Sequence, residues 1–169
     1  MSLSMYQASI PVFTRVLHNL AAVLAKGAAH AEARKIDPAV LLGMRLFPDM
    51  LPLTRQVQIA SDVTKGFPAR ITATEPPSWP DDEATFDALD ARIRRTVEYL
   101  DGYSPEQIDG TEENIVRLKI RGEPLSLAGR PYLFHFVLPN LYFHATTTYA
   151  LLRHAGVELG KRDFLGWPL

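Results

Sequence analysis

The run RPYLFHFVLPNLYFHATTTYALLRHAG, from Arg130 to Gly156, constrains this chain more than any other stretch. It holds the longest continuous apolar face and the densest set of polar groups able to do chemistry. At roughly 100° per residue, a helix here sets Asn140, His144, Thr147 and Leu151 on one side. Leu133, Phe136, Val137 and Phe143 share that side, while Tyr142, Tyr149 and Arg153 face away. An amide, an imidazole and a hydroxyl therefore enter an otherwise apolar face. Burying them is costly unless each finds a partner, so they form a satisfied core network, a ligand site, or both.

Pro139 interrupts this run. Inside a helix it removes one hydrogen bond and crowds the carbonyl four residues back, here that of His135. The helix either kinks at Pro139 or begins there, with the proline in its first turn. Because the apolar face continues on both sides, a kink is expected, freeing the His135 carbonyl close to Asn140 and His144. Gly156 is expected to end the element, with Arg153 and His154 in a last turn that favours cations.

At 169 residues the chain is expected to be a single domain, residues 1–169, with a substantial core. The 18 Lys+Arg and 19 Asp+Glu give a formal net charge of −1, which offers no electrostatic case for a nucleic-acid partner. The absence of cysteine removes disulfides, thiolate metal sites and a cysteine nucleophile. No apolar run reaches the roughly 18 residues a membrane span needs, and the N-terminus lacks the pattern of a signal peptide. The expectation is a cytoplasmic protein without a membrane partner.

Read in order, residues 5–34 carry helical periodicity, with Ser9 as N-cap and Pro11 in the first turn. Asp37-Pro38 opens a short helix running to Leu46. Pro48-Asp49 is expected to begin a second long helix, about 49–65, stopped by Gly66, with Asp49 as its cap and Gln56 sharing its face. Residues 66–82, with four prolines, read as a long crossover between two helices running the same way. Phe86, Leu89, Ile93, Thr96/Val97 and Leu100 form the stripe of a third helix, beside which Arg92, Arg94 and Arg95 read as a solvated face. Asn114 to Leu127 alternates around Arg121-Gly122, a β-hairpin signal. After Gly156, the anchors Phe164, Leu165 and Trp167 predict a tail folded over one end of the bundle.

Two passages, RLFPDMLPLTRQVQ and PNLYFHATTTYALLRHAGVELGKRDFLG, together with this helix order, resemble a bacterial domain-of-unknown-function family within the DinB/YfiT-like superfamily. The resemblance covers essentially the whole chain. It implies an all-α, up-down-down-up four-helix bundle with a long helix 2–3 crossover and a short β-hairpin before the last helix. It also implies a homodimer, and a divalent metal, zinc or nickel, held in many members by three histidines. Some members are thiol-dependent transferases.

In such proteins the last helix carries a His-x-x-x-His pair, with an arginine nine residues after the second histidine. Counting back from Arg153 makes His144 the second histidine and puts Asn140 where the first would stand. The third ligand comes from the second helix, where no histidine lies between Pro48 and Gly66; Gln56 or Asp49 is left to take that place. One imidazole among amides is a poor zinc site. No tightly bound metal is therefore expected; any that bound would use His144.

Three functional readings remain. In an enzyme, with or without metal, His144 is the ligand or general base, Asn140 an orienting amide, and Asp49, Gln56 and Thr147 candidate ligand-binding groups. In a binding module the pocket takes a small-molecule ligand without chemistry. In a structural cluster Asn140, His144 and Gln56 satisfy one another and fix helix register.

Overall fold

The computed structural model describes residues 3–120 and 122–167. Three long helices, α1 (Ile10–Arg34), α3 (Leu53–Ile71) and α4 (Phe86–Asp101), are joined by a composite fourth. In the fourth, α6 (Gly129–Pro131), a π-helical segment (Tyr132–Val137) and α7 (Leu138–His154) follow one another without leaving helical backbone angles. Short helices α2 (Pro38–Leu42), α5 (Pro105–Ile108) and α8 (Lys161–Leu165), with strands β1 (Ile115–Ile120) and β2 (Glu123–Ala128), complete the described residues.

Helix directions follow from which ends meet. Gly27, late in α1, lies against Leu152, late in α7, and against Phe86, which opens α4. So α1 and α7 run together and α4 runs against them. Phe13, early in α1, meets Phe67, late in α3, with ring centroids 5.4 Å apart, so α3 also runs against α1. The expected up-down-down-up order results. The two parallel helices, α3 and α4, are neighbours, and residues 72–85 must lead back along α3 for ~28 Å.

Three boundaries differ from expectation. The short helix α2 ends at Leu42 rather than Leu46, although Asp37 caps it as predicted by accepting from the Ala39 N–H. Pro52, not Asp49, precedes α3; Asp49 sits in an exposed turn ahead of it. Gly66 does not stop α3, which continues through Pro68 to Ile71, so the crossover begins at Thr72. Gly66 is small for a different reason: a Cβ there would lie 1.8 Å from Arg70 Nη1, so the glycine makes room for that guanidinium. Arg70 in turn donates to the Tyr132 hydroxyl at 3.2 Å, tying α3 to the fourth helix. Nearly every residue from Gln56 to Ile71 is buried, and this packing overrides the local breakers.

Ser9 occupies the N-cap position of α1, but its hydroxyl turns back to the Met5 and Tyr6 carbonyls and caps nothing. The whole α4 stripe from Phe86 to Leu100 is buried as its spacing predicts. The hairpin forms with Ile120 opposite Glu123; Val116↔Leu127 and Leu118↔Leu125 make its inner face. Gly122 takes a positive φ of 91° in its turn, while Arg121 lies outside the described residues. Gly156, also at a φ of 91°, ends the last helix: Val157 N–H reaches back to Leu152 O and Gly156 N–H to Arg153 O, with Leu152 and Val157 both buried. The tail does fold back, but along the flank of α1 rather than over an end, and Leu165 and Trp167 stay exposed.

Arg92 is the largest correction. Its side chain is only 2% exposed. It pairs with Asp62 of α3 at 2.8 Å, and with Asp81 at 3.0 Å and Glu83 at 2.8 Å on the crossover. It also donates to the Pro80 carbonyl at 3.0 Å. Burial alone would raise the Glu83 pKa, but hydrogen bonds from Arg92 and Gln58 outweigh it and hold the carboxyl below its ordinary 4.5. Beside this cluster, Trp79 is covered by the Lys65 ammonium at 4.9 Å and the Arg95 guanidinium at 4.4 Å. Arg94 and Arg95 keep the predicted exposed positions, Arg94 paired with Asp90 and Arg95 lying over Trp79.

Arg92→Met is expected to destabilise the fold by about 2 kcal/mol, because Glu83, the one largely buried acid, loses its cation, while Asp62 and Asp81 keep Lys65 and Arg55. Urea unfolding at neutral pH measures this. Since the folded pKa of Glu83 is lowered, its contribution is present above pH 4.5 and is lost as pH falls through the lowered value, so the gap between wild type and variant should shrink in acid.

Candidate functional site

Pro139 is accommodated as a first-turn proline, the alternative to the kink expected from the continuous apolar face. It lies in the first turn of α7, and the turns before it widen to π geometry, with the Leu138 N–H bonding the Leu133 carbonyl five residues back. The side-chain amide of Asn140 then donates to the carbonyl of Phe136 at 2.6 Å, rather than meeting the His135 carbonyl. Thr147 repeats the pattern two turns on: its hydroxyl donates to the Phe143 carbonyl at 2.7 Å. Thr148, buried and not singled out in the sequence, donates to the His144 carbonyl at 2.9 Å. These back-bonds consume polar capacity within the helix itself.

His144 alone reaches across to another helix. Its Nδ1 lies 2.6 Å from Oε1 of Gln56 on α3. Gln56 is 1% exposed and is fixed at its other end, where Nε2 donates to the Leu51 carbonyl at 2.9 Å. That bond commits the glutamine nitrogen, so Oε1 faces the imidazole, and an amide oxygen can only accept. The proton therefore sits on Nδ1. Burial lowers the His144 pKa below its ordinary 6.5, which keeps the ring neutral and makes Nε2 a lone-pair acceptor. Nε2 has no hydrogen-bond partner among the described residues, and it is not among the polar atoms sealed from solvent.

Gln56 and His144 are thus brought together. Asn140 and Thr147 lie on neighbouring turns but bond their own helix. Asp49 is exposed and makes no hydrogen bond or ion pair to either member of the pair among the described residues. Phe143 does not share the buried face: it is 55% exposed and packs edge-on against the His144 ring at 5.2 Å. It forms an apolar rim beside the imidazole.

The donors at this site do not fit a tightly held divalent ion. Gln56 Oε1 is engaged by Nδ1–H and the Asn140 amide is turned to Phe136. Among the described residues no three His, Cys, Asp or Glu side chains converge. A catalytic zinc site draws on three strong protein ligands, and this one offers a single imidazole nitrogen.

A bundle with this helix order, and with its polar pair between the second and last long helices, is of the DinB-like class. A solved DinB family member protein from Shewanella denitrificans is similar over 97% of this chain and 93% of its own, with 38% sequence identity and a TM-score of 0.87. The family profile described as domain of unknown function (DUF1993) matches residues 5–165, and the chain belongs to that family. No curated protein matches it significantly. No helix among the described residues is long and apolar enough to cross a membrane.

Replacing Gln56 by Glu should place a carboxylate against Nδ1–H and raise the His144 pKa above 6.5, followed by ¹⁵N chemical shifts of labelled histidine. In the wild type the folded value is lowered, so stability linked to His144 is complete above pH 6.5 and falls as pH drops through that lower value.

Proposed function

We propose that this chain binds a small polar molecule at His144 and uses the neutral imidazole as proton acceptor toward it, without a tightly held metal. The observation that carries this reading is the 2.6 Å bond from His144 Nδ1 to Gln56, which fixes the tautomer and leaves Nε2 unpaired on a ring flanked by the exposed Phe143. Gln56 positions the ring, and the apolar rim shields the bound group from water. A molecule presenting an O–H or S–H donor matches the free acceptor, so thiol chemistry of the kind the superfamily resemblance implies is compatible with it. His144 would serve as general base rather than as a ligand.

Two measurements test this. Small thiols and alcohols added to protein labelled in histidine nitrogen should shift the Nε2 resonance of His144 and leave that of His18 in place. No shift from any of them, with Nε2 protected from diethyl pyrocarbonate, would reduce the pair to a clasp between helices. Zinc titrated by calorimetry should bind Asn140→His more tightly than wild type; stoichiometric sub-micromolar zinc at His144 of the wild type would overturn the metal-free reading.

The same reading includes a homodimer in a bacterial cytoplasm. Its support is the superfamily resemblance and the exposed apolar rim, to which a second copy could contribute cover. Light scattering at micromolar concentration is expected to give twice the mass of one chain.

A further inference from the structure

On the flank away from Gln56, α1, α7 and α8 enclose a cavity of about 440 Å³. Val12, Val16, Leu20 and Val23 of α1 form its floor, Ala145 of α7 one wall, and Phe164 of α8 part of its roof. Arg15 is the one charged residue lining it. Packing holds the roof only lightly: no residue of α8 is fully buried, and Phe164 meets Tyr149 of α7 edge-on at 5.9 Å. Arg15 donates to the Leu165 carbonyl at 3.3 Å, Asn19 to the Phe164 carbonyl at 3.2 Å, and Lys26 pairs with Asp163 at 2.6 Å. Gly166, at a φ of 67°, sits where a Cβ would fall 2.0 Å from Asn19 Oδ1, so the close approach of the roof to α1 is built in.

One edge-on aromatic contact is a small packing gain for a five-residue helix. Three ties and a glycine nevertheless fix it over apolar surface that its own side chains do not fill. We propose that this cavity is a binding site for a medium-length aliphatic monoanion, its carboxylate on Arg15 and its hydrocarbon tail along Val16, Leu20 and Val23. The size and apolar lining match small-molecule sites, which pair an apolar wall with a few placed polar groups. The floor from Val12 to Val23 runs ~16 Å along the helix, which suits an extended chain rather than a compact ring. Charge decides the head group. Arg15 is exposed and spends one N–H on Leu165, leaving the rest of its guanidinium for a carboxylate, and no acidic residue lines the cavity. The site is independent of His144: it lies between α1 and α7, whereas Gln56 approaches from α3.

The test is calorimetric titration of the full chain with decanoate, below its micelle-forming concentration, beside decylamine and decanol. Saturable binding of one decanoate per chain is expected, with decylamine failing to bind. Arg15→Gln should weaken decanoate about tenfold and leave decanol unchanged. Val16→Trp, a half-buried position that fills the floor without entering the core, should abolish binding while the circular dichroism spectrum stays that of the wild type. Octanoate and dodecanoate bracket the preferred length, and an optimum among the three is expected. Absence of decanoate binding, equal binding of acid and amine, or undiminished binding in Val16→Trp would each overturn the proposal.

Discussion

The buried guanidinium of Arg92 holds together what the helix order would otherwise leave loose. Two adjacent helices that run the same way cannot be joined by a tight turn, so this chain carries a proline-rich connection back along its own length. That connection is fastened where it arrives: Asp81 and Glu83 close on Arg92, which also grips Asp62 on the facing helix. Trp79, covered by two cations, seals the neighbouring surface. One side chain thereby sets the spacing of α3 and α4 and the path between them. The α3 start that this spacing places correctly is the one that carries Gln56.

The site is organised by a proline rather than in spite of one. Pro139 cannot donate, and the π-helical turns before it reorganise the carbonyls so that Asn140 closes one of them. Downstream the helix is regular, with Thr147 and Thr148 each bonded a turn back. Of the polar groups on that face, His144 alone remains to reach out, and the amide oxygen it meets determines which ring nitrogen carries hydrogen. Neutral polar groups do the positioning here.

How much was legible in the sequence depended on the kind of interaction. Periodicity located α1, α4 and the hairpin, because apolar burial repeats along the chain. The partnership of Gln56 with His144 was narrowed to two candidates but not resolved, since choosing between Gln56 and Asp49 required knowing where α3 begins. Local breakers misled: Pro48-Asp49 looked like a helix start and Gly66 like a stop. The helix instead begins at Leu53 and runs to Ile71, because α3 is buried along most of its length and packing outweighs propensity. Arg92 was misread as solvated, yet its place three residues after Leu89 and four before Thr96 put it on the apolar stripe. A charge at such a position must be paired, and the acids of the crossover were the available partners. Phe143 failed in the opposite sense: it lies about 100° from His144 on the same regular helix, and the buried face is centred on the other side of His144, toward Leu141, Ala145 and Thr148.

The tail contacts have a consequence for how the chain comes into being. Arg15 and Asn19 are bonded to carbonyls 150 and 145 residues later, and Lys26 to a carboxylate 137 residues later. Parallel to α1 lies α7, so one flank of α1 is completed only by α7 and α8. On a ribosome α1 can dock on α3 and α4 once they emerge, through Phe13 on Phe67 and Gly27 on Phe86, but its flank toward α7 and α8 waits for those later helices. Helices α3 and α4 could associate earlier, through the arginine and its acids. The flank of α1 that faces α7 and α8 is thus the surface left open to a chaperone in that interval.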